Sequence, residues 1–425
     1  MKIKSINASY SSRKVNIQDV EFNKGLTLLV GASGVGKTQI LDAICDIKTV
    51  ALGESINGFS WQIEFSIDEH EYLWSGEFNG VEEDALARVQ GLFSKSKSRN
   101  NSNARIKTEQ LYIDSDLIIH REEEQIIFKG SPTLKLAPNE SCIKLLQQEN
   151  LITPIFESFK KVKLITSQDE TPFANIAVGL NNQEFNSFNE LRALTSHVLE
   201  KAYLCQNNFE DKFEDICEAY KEIFPFIKDI EIMQTELNIP NSDGKKLYQY
   251  MYRIHEDGVE DWIYQEQISS GMKKVFLQLC YLLLSPPHSV FLIDEFENGF
   301  GVNCIDAISE WLLKPNMKYQ FIITSHHPYI INHIPSKRWK IVSRNKNIIQ
   351  AYEADQFLDE SNHESFIKLI NSCSLKLIQY FGDVQSSIIL IHSKYHLLIN
   401  DQISCSVFQE CSENTEINLL TVPIS

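Results

Sequence analysis

The sequence has no apolar run long enough to cross a membrane as a helix. Its strongest candidate, "VFLQLCYLLL" from Val275 to Leu284, is ten residues long, about half of the roughly 18 that a span requires. Met1 to Lys14 ("MKIKSINASYSSRK") holds no apolar core of the kind a secretion signal needs. The nine cysteines show no C-x-x-C spacing, which excludes a zinc ribbon and argues against a disulfide framework. Positive charge is also short, with 40 Lys and Arg against 57 Asp and Glu and a net charge of −17. A protein that grips nucleic acid unaided usually carries a basic face, and this balance gives no general sign of one. No internal repeat is present. These absences predict a cytoplasmic protein with reduced thiols and no membrane association.

What is present suits a large core. Hydrophobic residues make up 43% and charged residues 23% of 425, which is ordinary globular composition and suggests two or three structural units. Residues 1–30 alternate and close on "LTLLV", a strand pattern. "FSWQIEFSI", "EYLWSGEF", "QLYIDSDLIIH" and "EQIIFK" read as strands of an antiparallel sheet. Ser94 to Lys107 ("SKSKSRNNSNARIK") is polar and basic without apolar anchors, and reads as a surface loop before a nucleic-acid contact. Helical spacing marks 185–226, a short insertion. "SSGMKKVFLQLCYLLL" reads as a buried helix, "SVFLIDE" and "QFIITS" as buried strands, and "RWKIVSRNKNIIQAYEA" as a hairpin.

Four short motifs carry chemistry. Gly31-Ala-Ser33-Gly34-Val-Gly36-Lys37-Thr38 fits G-x-x-x-x-G-K-[ST] between a strand and a helix. Its glycines let backbone N–H groups surround phosphate oxygens at a helix N-terminus. Lys37 would bridge the outer phosphates of a nucleotide, and the Thr38 hydroxyl would coordinate Mg²⁺. "SVFLIDE" ends an apolar strand in Asp294, placed for the metal, and Glu295, placed to polarise a water. The third and fourth motifs are "ISSGMKK" (Ile268 to Lys274) and "ITSHHPY" (Ile323 to Tyr329).

The order of the four resembles the ATP-binding-cassette superfamily, in particular the heads of SMC, RecF and OLD-type P-loop ATPases. That resemblance implies an α/β fold: a two-lobed ATPase head with a mixed sheet, a short helical insertion and a small C-terminal α/β extension. It implies boundaries at 1–184 (first lobe), 185–226 (insertion), 227–355 (second lobe) and 356–425 (extension). It implies ATP and Mg²⁺ as ligands and ATP hydrolysis as the activity. Ser269 and Gly271 match the family signature, which caps the γ-phosphate of ATP held by a partner subunit. The implied assembly is an ATP-sandwiched homodimer or a higher oligomer. Ser270 and Met272 depart from the usual L-S-G-G-Q. His326 aligns with the family's switch histidine, with His327 as the alternative. For the glutamine that follows the first lobe, Gln148 is preferred, with Gln147 and Gln62 open.

"DEFENGFGVNC", "TSHHPYIINHIP" and "HESFIKLINS" further resemble ATPases of bacterial phage-defence operons, the Septu ATPase family (PtuA) and its retron-associated relatives. This likeness covers roughly residues 1–50 and 265–375. It implies a partner nuclease of H-N-H type, with nucleic acid reached through that partner. The chain itself shows no H-N-H pattern and no Toprim glutamate with an Asp-x-Asp pair, so no nuclease activity is expected of it. The alternative is a DNA-repair or chromosome-structuring ATPase of RecF/SMC type that acts on DNA directly.

Overall fold

The structure is a computed structural model. It describes residues 1–12, 14–80, 104–165, 176–178, 185–237, 246–298, 300, 304, 308–310, 312, 318–325, 327–354, 387–392, 395–400, 404–409 and 419–422. His326, "HESFIKLINS" and all of the basic run Ser94 to Lys107 except its last four residues lie outside this set. The fold is mixed α/β, as the sequence implies. Chain contacts divide it into two units, Met1–Phe159 with Ile322–Ser425, and Lys160–Phe321.

The first unit is built on one sheet. Its strands in chain order are β1 (Lys2–Tyr10), β2 (Val15–Glu21), β3 (Leu26–Val30), β4 (Phe59–Ile67), β5 (His70–Phe78), β6 (Ile106–Ile113), β7 (Asp116–Glu122), β8 (Gln125–Phe128) and β9 (Ser131–Pro132). Strands β17 (Trp339–Asn345) and β18 (Ile348–Glu353) return late in the chain. The spatial order is β3-β17-β18-β2-β1-β4-β5-β6-β7-β8-β9. β17 runs parallel to β3 and β18 parallel to β2, while the run from β2 through β9 is antiparallel. All five residues of β3 are buried, the continuous apolar run expected of a strand covered on both faces. Beyond it the antiparallel strands alternate, and Phe59, Trp61, Trp74 and Phe78 make an aromatic core with ring centroids 5.1–5.8 Å apart.

"QLYIDSDLIIH" is two strands rather than one extended run. Asp114 and Ser115 turn the chain with φ of 50° and 75°, left-handed values that suit a two-residue hairpin loop and that aspartate tolerates better than most residues. Farther along, Arg121 is fully buried and donates to the carbonyls of Glu123, Ala137 and Glu140. Glu109 beside it accepts from Trp74 Nε1 and the Cys142 backbone. Burial pushes the Glu109 carboxyl up, against those donors and Arg121. Together they fasten residues 137–142 to the sheet. The described C-terminal residues form a separate antiparallel meander, β19 (Ser387–His392), β20 (Tyr395–Asn400), β21 (Ser404–Gln409) and β22 (Leu419–Val422).

The second unit holds a parallel pair, β10 (Val162–Ile165) with β15 (Val290–Ile293), in register from Val162↔Val290 to Ile165↔Ile293. A second sheet has the order β11 (Ile176–Val178), β13 (Leu247–Glu256), β12 (Ile227–Leu237), with β14 (Ile263–Tyr264) on β13. The helical span of the sequence becomes three helices, Phe188–Ala193, Val198–Asn208 and Glu210–Ile223. The Gln206 side chain pairs with both the N–H and the C=O of Ile232 on β12, which stops that edge from offering those groups to another strand.

The longest described helix of this unit, Ser270–Leu284, buries ten of its fifteen residues. Its C-terminal carbonyls have no partner within the helix, and side chains from distant segments supply them. Tyr319 Oη donates to Leu282 O, Lys201 Nζ to Leu284 O, and Arg192 Nε to Ser285 O.

Candidate functional site

In the first unit, β3 delivers the chain to the loop Gly31–Gly36, and helix Lys37–Ala51 starts at once behind it. Gly36 is the N-cap residue with φ 107°, no side chain caps the helix, and no acidic residue lies in its first turn. The first turn thus brings no carboxylate of its own to the N–H groups at the positive end of the helix, which suits an anion there. Gly31 shows why the loop is glycine-rich. A Cβ there would sit 2.6 Å from the Val342 carbonyl oxygen of β17, too close for any other residue. At Gly36 a Cβ would meet the Ile349 side chain of β18 at 2.4 Å. Ser33, Gly34 and Thr38 are exposed. Lys37 folds over the loop and donates to the carbonyls of Gly31 at 2.8 Å and Ala32 at 3.1 Å.

The histidine turn belongs to the same unit. The Ser325 N–H donates to Leu29 O at 3.4 Å, two residues before Gly31. Ser325 is buried, and its Oγ accepts the His327 N–H at 3.1 Å. His327, half-buried, therefore stands just after the sheet beside the phosphate loop, and His326 lies outside the described residues. On the same sheet edge lies a cavity of about 310 Å³, lined by Ser9, Ser11, Asn16, Ser60, Glu77 and Asn347 among others. Its walls are strand ends that the sheet directions bring to one rim: β1 ends at Tyr10, β2 starts at Val15, β4 starts at Phe59 and β5 ends at Phe78.

The second unit carries the other motifs. β15 is wholly buried and is followed at once by Asp294, half-buried, and Glu295, exposed. Glu295 has φ 47°, a left-handed conformation that costs a residue with a Cβ about 1 kcal/mol or more. The Asn298 N–H donates to the Glu295 carbonyl at 2.8 Å and closes a turn. Ser269 is the N-cap of helix Ser270–Leu284, its Oγ accepting the Met272 N–H at 3.3 Å. Gly271 stands in the first turn, which again lacks acidic residues. Ser269, which the resemblance assigns to the signature, is thus a helix cap. Among the described residues no three His, Cys, Asp or Glu side chains converge as a metal site.

Gln148 is not brought to the loop. It sits on an exposed turn after the short helix Cys142–Leu145, whose Lys144 lies against Gly53. Gly53 follows the C-terminal end of helix Lys37–Ala51, and that helix is roughly 22 Å long at 1.5 Å per residue. Sequence reading missed the strand β10. "VKLI" (Val162–Ile165) pairs in parallel with β15, so the chain leaves the sheet after Ile165 at the edge where Asp294 follows Ile293. The next residues are Thr166, Ser167 and Gln168, outside the described set. Four apolar-rich residues before a polar stretch were the available signal.

A loop of this form on a buried strand, with a helix starting at its lysine, defines a P-loop nucleotide-binding domain. Residues 26–332 match the family described as "AAA domain, putative AbiEii toxin, Type IV TA system", and the chain belongs to that family. No curated protein matches the chain. Solved structures similar to it include three SMC heads. One is an SMC head bound to the C-winged helix domain of ScpA, at 14% identity and TM-score 0.47, covering 83% of this chain and 98% of that one. A second is the Smc head with an extended coiled coil bound to the C-terminal domain of ScpA, from Pyrococcus furiosus, at 14% identity and TM-score 0.42, covering 87% and 99%. The SMC head from Thermotoga maritima matches at 13% identity and TM-score 0.39, covering 83% and 99%. No described helix is long and apolar enough to cross a membrane.

Proposed function

We propose that this chain binds ATP with Mg²⁺, hydrolyses it, and uses the bound nucleotide to pair with a second copy of itself. The observation that carries the reading is the phosphate loop: a helix N-terminus capped by Gly36, with no acidic residue in its first turn, crossed by Lys37. Lys37 then takes the β- and γ-phosphates, and the N–H groups of Gly34, Gly36 and their neighbours take the rest. The base and ribose occupy the cavity at Ser9, Asn16, Ser60 and Asn347. It lies on the rim that bears the loop, about 14 Å across three strand spacings from β3 to β2. The Thr38 hydroxyl would hold Mg²⁺, which takes one or two protein oxygens and completes its octahedral shell with phosphates and water, and Asp294 is the carboxylate the sequence assigns to it. It would neutralise charge on the phosphates. Glu295 polarises the attacking water, and His326 contacts the γ-phosphate. Gln168 replaces Gln148 as the lobe glutamine.

Ser269 and Gly271 serve the γ-phosphate of the facing copy, supplying a hydroxyl and a helix N-terminus. The biological role we infer is control of a partner nuclease, of H-N-H type, in a Septu-like antiphage system. The family description, which names a toxin of a toxin–antitoxin system, supports a defensive role. The charge of −17 favours a protein partner over bare DNA. Equilibrium titration of the Lys37→Ala variant with ATP tests the core of this reading. Loss of a charge-assisted contact of about 2–5 kcal/mol should weaken binding at least about 30-fold. Wild-type affinity in that variant would show that the loop does not hold phosphate.

A further inference from the structure

The turn that bears Glu295 is held by a residue of the signature segment. Lys274 lies five residues after Ser269, in the second turn of helix Ser270–Leu284, and is 9% exposed. Its ammonium donates to the carbonyl of Phe296 at 3.1 Å and, at closer range, to that of Asn298. The same ammonium stands 4.5 Å from the centroid of the Phe300 ring. Phe296, itself fully buried, packs against Phe300 with centroids 5.5 Å apart. Two carbonyls and an aromatic face thus surround one cation, and all three belong to the five residues that follow Glu295.

We propose that Lys274 is the positioning residue for Glu295. The proposal rests on the reading of Glu295 as the group that polarises water. Glu295 leaves its strand in a left-handed conformation, φ 47°, which persists only where the surroundings fix it. One bond fixing it is local, the Asn298 N–H to the Glu295 carbonyl at 2.8 Å. A further constraint is Lys274, which draws the Phe296 and Asn298 carbonyls to one point and so sets the pitch of the turn. An ammonium with three donors does this without a negative charge beside the carboxylate. A carboxylate here would repel Glu295, and a neutral apolar side chain would leave both carbonyls without this donor. Because Lys274 and Ser269 share one helix, engagement of Ser269 by a phosphate is transmitted by a rigid element to the turn that carries Glu295.

The test uses the full chain and separates nucleotide binding from turnover. In Lys274→Met, ATP affinity should stay at the wild-type value while kcat falls by about 10²-fold, the effect of a small misplacement of a catalytic group. Lys274→Arg, which keeps charge and donors, should recover part of that loss. Glu295→Gln alone should lose about 10²–10⁴ in kcat. Combined with Lys274→Met it should be no slower, because both changes act through one group. Unchanged kcat in Lys274→Met, no recovery in Lys274→Arg, or losses that multiply in the double variant would each overturn the proposal. If Glu295→Gln turns over at the wild-type rate, the reading of Glu295 falls, and this proposal falls with it. Where Lys274→Met does not accumulate as folded protein, Lys274→Gln keeps a donor and carries the same comparisons.

Discussion

Single residues in this protein answer to backbone that approaches from far along the chain. Gly31 is a glycine because the Val342 carbonyl, over 300 residues later, occupies the space of its Cβ. The Val35 side chain adds a second contact at 3.1 Å. Neither neighbour is the free end of a flexible side chain pointing to solvent, so neither gives way at low cost. Gly31→Ala should therefore destabilise the fold by about 1–3 kcal/mol, the usual cost of overpacking, and displace the phosphate loop. Urea unfolding of the variant without nucleotide measures the first effect. A midpoint equal to wild type would mean that the loop has room the structure denies it.

At the scale of elements, the phosphate loop, the Asp294–Glu295 strand end and helix Ser270–Leu284 were legible because each is a local pattern. "LTLLV" before glycines, "VFLI" before two carboxylates and a sixteen-residue helical run all state their conformation within one segment. The turn at Asp114–Ser115 was not, since "IDSD" lacks the glycine that usually announces a hairpin. The strand β10 went unread for a similar reason. "VKLI" gains its meaning only from pairing with β15, over 120 residues away. Nor could the sequence announce how the signature helix ends, because Lys201, Arg192 and Tyr319 reach it from separate segments.

That helix end carries a pH prediction. Lys201 is 1% exposed, and burial, with Lys163 and Arg192 nearby, lowers its pKa from 10.5 to about 7. Between those values the unfolded chain holds one proton more at this residue than the fold does. Its contribution to stability is therefore least favourable below about pH 7 and improves as pH rises toward 10. Lys201→Met removes this dependence. The slope of unfolding free energy with pH, between about 7.5 and 9.5, should fall by up to ~1.4 kcal/mol per pH unit. Equal slopes in the variant and the wild type would contradict a neutral, buried Lys201 above pH 7.

For the whole molecule, the central claim is that catalysis requires two copies. Each chain would offer its phosphate loop to one nucleotide and its signature to another. Acidic charge of −17 sets a repulsion between copies that bound nucleotide and its contacts must overcome. ATP-dependent pairing should accordingly strengthen as salt screens that charge. Hydrolysis by mixed variants tests the claim most directly. Lys37→Ala removes the loop's cation, and Ser269→Arg blocks the signature at a cost of about 1 kcal/mol in helix capping. Each variant alone should be inactive, the second while still binding ATP. Mixed in equal amounts, they should recover about a quarter of the wild-type rate, because half the dimers are mixed and each has one whole site. No recovery, with mixed dimers confirmed by mass measurement, would contradict catalysis between chains.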